Sequence, residues 1–204
     1  MLNYLGQLRL YSLLDLIVLL IATRATPVEL IGAVLLHVGF LAYLESRHEH
    51  SYRKKVPKYL WVLLCLAGLI LYSHIAGLFY VLFSYLYTLK NRKSFAVLSP
   101  VMRGLQSYFL VAGISGYGSG LAFLAMVMMI IRNFCGDLRD VEKDGKENMK
   151  TLPVVMGLKK NIKYVHLIVT LVTTFVWFEY TNLSPYLLLP IFLIQILSYN
   201  LTPR

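Results

Sequence analysis

The chain has 204 residues, 58% hydrophobic and only 15% charged, with a formal net charge of +10. An average soluble domain carries roughly 25% charged residues and needs polar cover for its surface, so this composition argues against one soluble core. The apolar residues run in unbroken blocks without the ten-residue alternation of barrel strands, which predicts an all-α chain whose backbone is satisfied within helices.

In chain order, helices are expected near 8–25, 27–44, 59–74, 75–90, 99–115, 117–134, 162–179 and 184–200. The first lacks the basic start of a secretion signal and is read as a retained helix. It carries Asp15 inside an apolar block, where a charge is expected to face the bundle or a cavity or to serve as a packing hydrogen-bond group. Pro27 and Pro57 suit the first turns of the second and third helices. The block from Tyr59 to Leu89 divides at His74 and Gly77, and Gly113, Gly116, Gly118 and Gly120 bracket a tight turn. Pro190 predicts a kink inside the last helix. Cys65 and Cys135 form no disulfide framework.

Eight spans put both termini and the 45–58, 90–98 and 135–161 segments on one side. That side then gathers every one of the 20 Lys and Arg residues except Arg24, the bias expected of cytoplasmic loops. The expectation is an integral multi-pass membrane protein, a single domain over 1–204, with both termini and the motif loops cytoplasmic. The basic charge is thereby assigned to membrane orientation rather than nucleic acid, and no protein partner is required.

Two segments hold most of the acids: Glu45-Ser46-Arg47-His48-Glu49 and Asp137-Leu138-Arg139-Asp140-Val141-Glu142-Lys143-Asp144. Continued helical geometry puts Glu45 and Glu49 on one face, and Asp137, Asp140 and Asp144 on another. Like charges at that spacing repel unless a cation relieves them, and Mg²⁺ suits clustered oxygens that share it with substrate phosphates. Each cluster follows the second helix of its half-chain at nearly the same offset, which suggests two parallel four-helix repeats around a central cavity. Arg47, Arg53, Lys54, Lys90, Arg92 and Arg139 are candidate cations for a phosphate-bearing ligand. Any one of these acids or bases, taken singly, also fits a solvated loop.

The segment Asp137–Gly157, DLRDVEKDGKENMKTLPVVMG, resembles the second aspartate-rich motif of the UbiA-type intramembrane prenyltransferases. Asp137, Arg139, Asp140, Asp144, Thr151, Leu152, Pro153 and Gly157 match it, with Asn148 in place of a glycine. Tyr85-Leu86-Tyr87-Thr88-Leu89-Lys90 is similar to a second family motif. At the first motif Glu45 and Glu49 replace aspartates, and Leu41 and Ala42 stand where Asn and Asp are usual. The resemblance implies a Mg²⁺-dependent enzyme that transfers a prenyl group from a polyprenyl diphosphate to a hydrophobic aromatic or lipid acceptor in the membrane. It implies catalytic Asp137, Asp140 and Asp144, metal ligands Glu45, Glu49, Asp137, Asp140 and Asp144, and diphosphate-binding Arg47, Arg53, Lys54, Lys90 and Arg139. Tyr72, Tyr85, Tyr87 and Tyr108 are candidate ring faces for a reacting cation. A non-catalytic relative acting as a lipid-binding or assembly protein is the alternative, favoured by Leu41 and Ala42.

Overall fold

The computed structural model describes residues 9–47, 56–91 and 93–202. Over those residues the chain is all-α: α1 (Leu10–Ala22), α2 (Pro27–Arg47), α3 (Lys58–Tyr72), α4 (Ala76–Thr88), α5 (Ser99–Ser115), α6 (Gly120–Lys146), the single turn α7 (Leu152–Val155), α8 (Val165–Glu179) and α9 (Leu188–Leu201). Short 3-10 turns at Leu89–Asn91, Lys93–Leu98 and Pro185–Leu187 join them. The helices form two compact units, one of Met1–Gly77 with Thr170–Arg204 and one of Leu78–Val169.

In the first unit, α2 and α3 approach closely because small residues line their seam. A Cβ on Gly32 would stand 2.3 Å from Tyr72 N, and one on Gly68 would stand 2.8 Å from Leu36 N. Backbone comes that near only where side chains are missing. Ser73 then takes the left-handed conformation, at φ 56, and ends α3. The junction is tied from the other side by a capping box, Thr26-Pro27-Val28-Glu29. Thr26 N and Oγ1 donate to Glu29 Oε2 at 2.8 and 2.7 Å, and Glu29 N donates back to Thr26 Oγ1 at 3.3 Å. The other Glu29 oxygen meets His74 Nε2 at 2.7 Å. These bonds, that to His74 foremost, hold the Glu29 carboxyl below its usual range.

A second polar group joins α1, α8 and α9. Asp15, 2% exposed, accepts the Thr173 and Thr174 hydroxyls at 2.8 and 2.9 Å. Gln195 Nε2 donates to Tyr11 O at 3.1 Å and to Thr174 Oγ1 at 2.7 Å, while Tyr11 and Tyr199 pack edge to face. Asp15 is therefore a hydrogen-bonded packing residue, the less exotic of its two expected roles.

In the second unit, Phe79 and Phe83 of α4 stack on Phe109 of α5 with ring centroids 4.8 and 5.4 Å away. Gly104 brings α5 against α6, since a Cβ there would lie 2.8 Å from Met126 O. Below the rings, fully buried Gln106 donates to Ser84 Oγ and accepts from Arg103.

Several expectations are corrected. Among the described residues, three helical segments are long and apolar enough to cross a membrane, at Pro27–Ser46, Phe95–Ser115 and Gly120–Lys146. The other apolar helices have only 10–17 residues, short of the roughly 20 a bilayer core requires. The scheme of eight crossings does not hold. Nor does the sorting of charge into loops on one cytoplasmic face: Asp137 and Asp144 are buried on α6 itself, which runs 27 residues to Lys146, and Asp137 is ion-paired there. The expected integral multi-pass localisation falls with it. The units also cut across the two expected four-helix repeats, because α9 and most of α8 belong with α1 to α3. Pro190 is the third residue of α9, where a missing N–H breaks no helical bond, so it starts the helix instead of kinking it.

Replacing Gly32 with Ala is expected to destabilise the chain by about 3 kcal/mol through overpacking against backbone. Gly118→Ala, where a Cβ meets nothing within 4 Å, provides the control in denaturant titrations. Glu29→Gln keeps the capping box but weakens its charge-assisted bonds to Thr26 and His74, and should cost about 0.5 kcal/mol, the scale of an exposed ion pair. Because the folded Glu29 carboxyl lies below its ordinary value of 4.5, that advantage is full above this pH. It should vanish as pH falls through the folded value, which melts of both proteins between pH 2 and 7 would record.

Candidate functional site

The second unit gathers its charge on one side of α6. Asp137, Asp140 and Asp144 recur at helical spacing on that side. Asp137 and Asp144 are 3% and 7% exposed. The 3-10 turn after α4 delivers Lys90, whose Nζ lies 2.5 Å from Asp137 Oδ1. Ser99, opening α5 ahead of Pro100, donates its hydroxyl to Asp137 Oδ2 at 3.2 Å and receives Asn133 Nδ2 at 3.4 Å. Asp137 thus sits between an ammonium group and a hydroxyl relay.

The electrostatics of the pair run one way. Burial works against the Lys90 charge, but the adjoining Asp137, with Tyr87 and Asp144 nearby, more than compensates and raises the ammonium pKa far above its ordinary value. Burial raises the Asp137 carboxyl, with Lys90 and Ser99 pulling it back only in part. Lys90 is thereby held in its charged form against Asp137. Asp140 differs: burial opposes its charge, but Arg139 reaches it with Nε at 2.8 Å and also with Nη2, and its carboxyl is lowered.

Asp144 is the exposed nerve of the cluster. Asn148 takes a left-handed conformation, φ 54, and Met149 N bonds back to Asp144 O at 2.8 Å, so the chain turns off α6. This is the end expected where Asn or Gly follows a helix. The turn carries fully buried Thr151 back toward the Asp144 carboxyl. Burial raises the Asp144 carboxyl; Lys90 and the nearby Thr151 hydroxyl lower it by less. Among the described residues, neither Asp144 Oδ2 nor Thr151 Oγ1 completes a hydrogen bond.

The remaining sequence candidates are distributed otherwise. Glu45, 4% exposed, lies in the first unit with Arg9 Nη2 at 3.7 Å. Arg47 is the last residue of α2 in the same unit. Glu49, Arg53, Lys54 and Arg92 lie outside the described residues. Of the tyrosines, Tyr72 is fully buried beside His74 and Tyr108 donates to Tyr117 O at 2.6 Å. Both serve packing. Sequence reasoning missed Ser99 and Asn133, since a lone serine before a proline and a lone mid-helix asparagine signal only a helix start and a polar position.

Comparison with known protein families, with curated proteins and with solved structures yields no match for this chain. The resemblance to UbiA-type prenyltransferases is therefore not upheld. The geometry removes what the resemblance required: among the described residues no group of three or more His, Cys, Asp or Glu is placed to hold a metal. Prenyl transfer within a membrane is withdrawn as the function, together with the transferase and isoprenoid assignments. What stands is an all-α chain with a buried acid–base cluster.

The raised Asp144 carboxyl makes a stability prediction. An acid whose folded pKa exceeds its unfolded value stabilises at low pH and loses that contribution as pH rises through the folded value. Asp144→Asn should therefore stabilise the protein by about 1 kcal/mol at neutral pH, the scale of an unpaired buried polar group. The gain should shrink as pH falls through the raised folded value and be lost below the ordinary carboxylate value of 3.8, as read from melting temperatures against pH.

Proposed function

We propose that the 78–169 unit binds a phosphate-bearing ligand, a diphosphate above all, at the Lys90–Asp137–Asp144 cluster, with Mg²⁺ entering alongside it, and that the chain acts on this ligand as a Mg²⁺-dependent enzyme. The observation that carries the reading is the buried Asp144 carboxyl and Thr151 hydroxyl set beside each other next to a firmly charged Lys90, with Asp144 Oδ2 and Thr151 Oγ1 short of a well-formed hydrogen bond among the described residues. Buried polar atoms are rarely left unpaired, and each such case needs a reason. A ligand that completes their bonds supplies one.

Among the described residues no group of three or more His, Cys, Asp or Glu is placed to hold a metal by itself. The cluster fits a different arrangement, in which Mg²⁺ is held through one or two carboxylates and the phosphates themselves. Asp144 offers a free carboxylate oxygen for this, and Thr151 a hydroxyl. When bound, Mg²⁺ would neutralise charge on the phosphate oxygens. Lys90 can keep one ammonium donor on Asp137 and offer another to a phosphate oxygen, while Ser99 holds the second Asp137 oxygen. Arg139 stays bound to Asp140 and holds that carboxylate ionised.

Titration calorimetry with inorganic pyrophosphate tests the site. Binding is expected to need Mg²⁺; Asp144→Asn should remove the Mg²⁺ dependence, and Lys90→Gln should weaken binding about tenfold or more, the worth of a charge-assisted hydrogen bond. Equal affinity in all three proteins, or no binding with or without Mg²⁺, ends both the site and the enzyme reading.

A further inference from the structure

On another side of α6 the second unit carries a groove of ≈ 440 Å³, lined by Val141, Glu142, Gly145, Lys146, Val154, Gly157, Leu158 and Lys159. Its volume falls within the roughly 300–1,000 Å³ of small-molecule sites. The floor is aliphatic, from Val141, Val154 and Leu158. Two lysines stand among the lining residues, Lys146 on α6 and Lys159 beyond α7. The one acid, Glu142, is engaged: its Oε1 accepts Asn161 N at 3.1 Å, and its own N–H donates to Asn161 Oδ1 at 3.0 Å. That reciprocal pair fixes the 158–161 segment against α6 and holds the Glu142 carboxylate toward Asn161, and the two lysines outnumber this one acid in the lining.

Gly145 adds an independent observation. It is the next-to-last residue of α6, and a Cβ there would meet nothing within 4 Å. No close approach of the chain requires it, in contrast to Gly32, Gly68 and Gly104. Without a side chain it leaves bare backbone in the groove wall, which a ligand can approach closely. Gly157, on the other wall, also opens on empty space, but its φ of 79 gives it a reason of its own in the turn that ends α7.

We infer that this groove binds a small amphiphilic carboxylate, an aliphatic chain with one anionic head, its chain lying over Gly145 on the valine–leucine floor and its head between Lys146 and Lys159. A doubly charged inorganic ion would find no use for the floor, and an uncharged chain no use for the lysines. The site is separate from the Lys90–Asp137–Asp144 cluster, since none of those residues lines it.

Calorimetric titration of the full chain with octanoate, octan-1-ol and inorganic phosphate tests the assignment. Octanoate should bind saturably at one site, with the alcohol and phosphate each at least about tenfold weaker, the scale of one charge-assisted bond. Gly145→Leu fills the groove with a good helix former, so it should abolish octanoate binding and leave the melting temperature unchanged or higher. Lys146→Gln with Lys159→Gln should weaken octanoate about tenfold without altering the weak uptake of octanol, and remains informative even where the leucine variant folds poorly. Asp144→Asn should leave octanoate binding intact, which separates this site from the pyrophosphate one. Octanol bound as tightly as octanoate, or a folded Gly145→Leu protein that binds like the parent, would overturn it.

Discussion

A lysine ammonium against a buried carboxylate organises the 78–169 unit. Neither charge would be tolerated alone at that depth, since an uncompensated buried ion costs several kcal/mol. Together they require a turn to end α4 where it does, a serine at the start of α5 to meet the second carboxylate oxygen, and α6 to remain helical through its acidic stretch. Had α6 unwound at Cys135, Asp137 would have been a solvated loop residue and Lys90 would have had nothing to hold. One ion pair thus registers the turn after α4, and with it the nearby start of α5, against a helix position 47 residues further along.

The pair also explains why the three aspartates of α6 are chemically unequal despite their even spacing. Asp137 is answered by Lys90 and Ser99, and Asp140 by Arg139 from the adjoining residue. Asp144 has Lys90 only at a distance and keeps an unbonded oxygen. Helical periodicity predicts a shared face but cannot predict which carboxylate will find a cation. That is decided by where the flanking segments return, and the left-handed Asn148 returns Thr151 rather than a lysine.

Much of the helical layout was legible in the chain. Apolar blocks locate the helices, and the break at His74 and Gly77 corresponds to the left-handed Ser73 that ends α3. Acidic spacing marks the face of α6 that carries the cluster. The larger organisation was not legible, for a physical reason. Charge counting assumes that basic and acidic residues lie in loops, and in this chain Asp137 and Asp144 are buried on a helix. Once the acids of α6 are assigned to a loop, the helix is cut short and an apparent repeat appears, while the count of crossings fails separately because the other apolar helices have only 10–17 residues. Pro190 misled in a similar way: a proline condemns a helix interior but not its first turn, and the start of α9 lay a few residues later than apolarity alone suggested. Ser99 and Asn133 gave no signal because their importance is wholly tertiary.

The two units treat buried polarity differently, and the contrast bears on where activity resides. Around Asp15 the carboxylate, two threonine hydroxyls and the Gln195 amide nitrogen bond one another across α1, α8 and α9, so the polar atoms bind helices together. Around Asp144 the same kinds of atom, a carboxylate and a threonine hydroxyl, lie buried near each other without completing a bond. The Asp15 network carries an unpaired atom of its own, Gln195 Oε1, so the difference lies in the acids: the Asp15 carboxyl is bonded to two hydroxyls, whereas the Asp144 carboxyl keeps an unbonded oxygen beside a charged lysine. By that criterion the first unit's buried acid is part of the scaffold. The second unit's acid is strained in the electrostatic sense, and a ligand that relieved it would bind with the free energy the fold has left unspent.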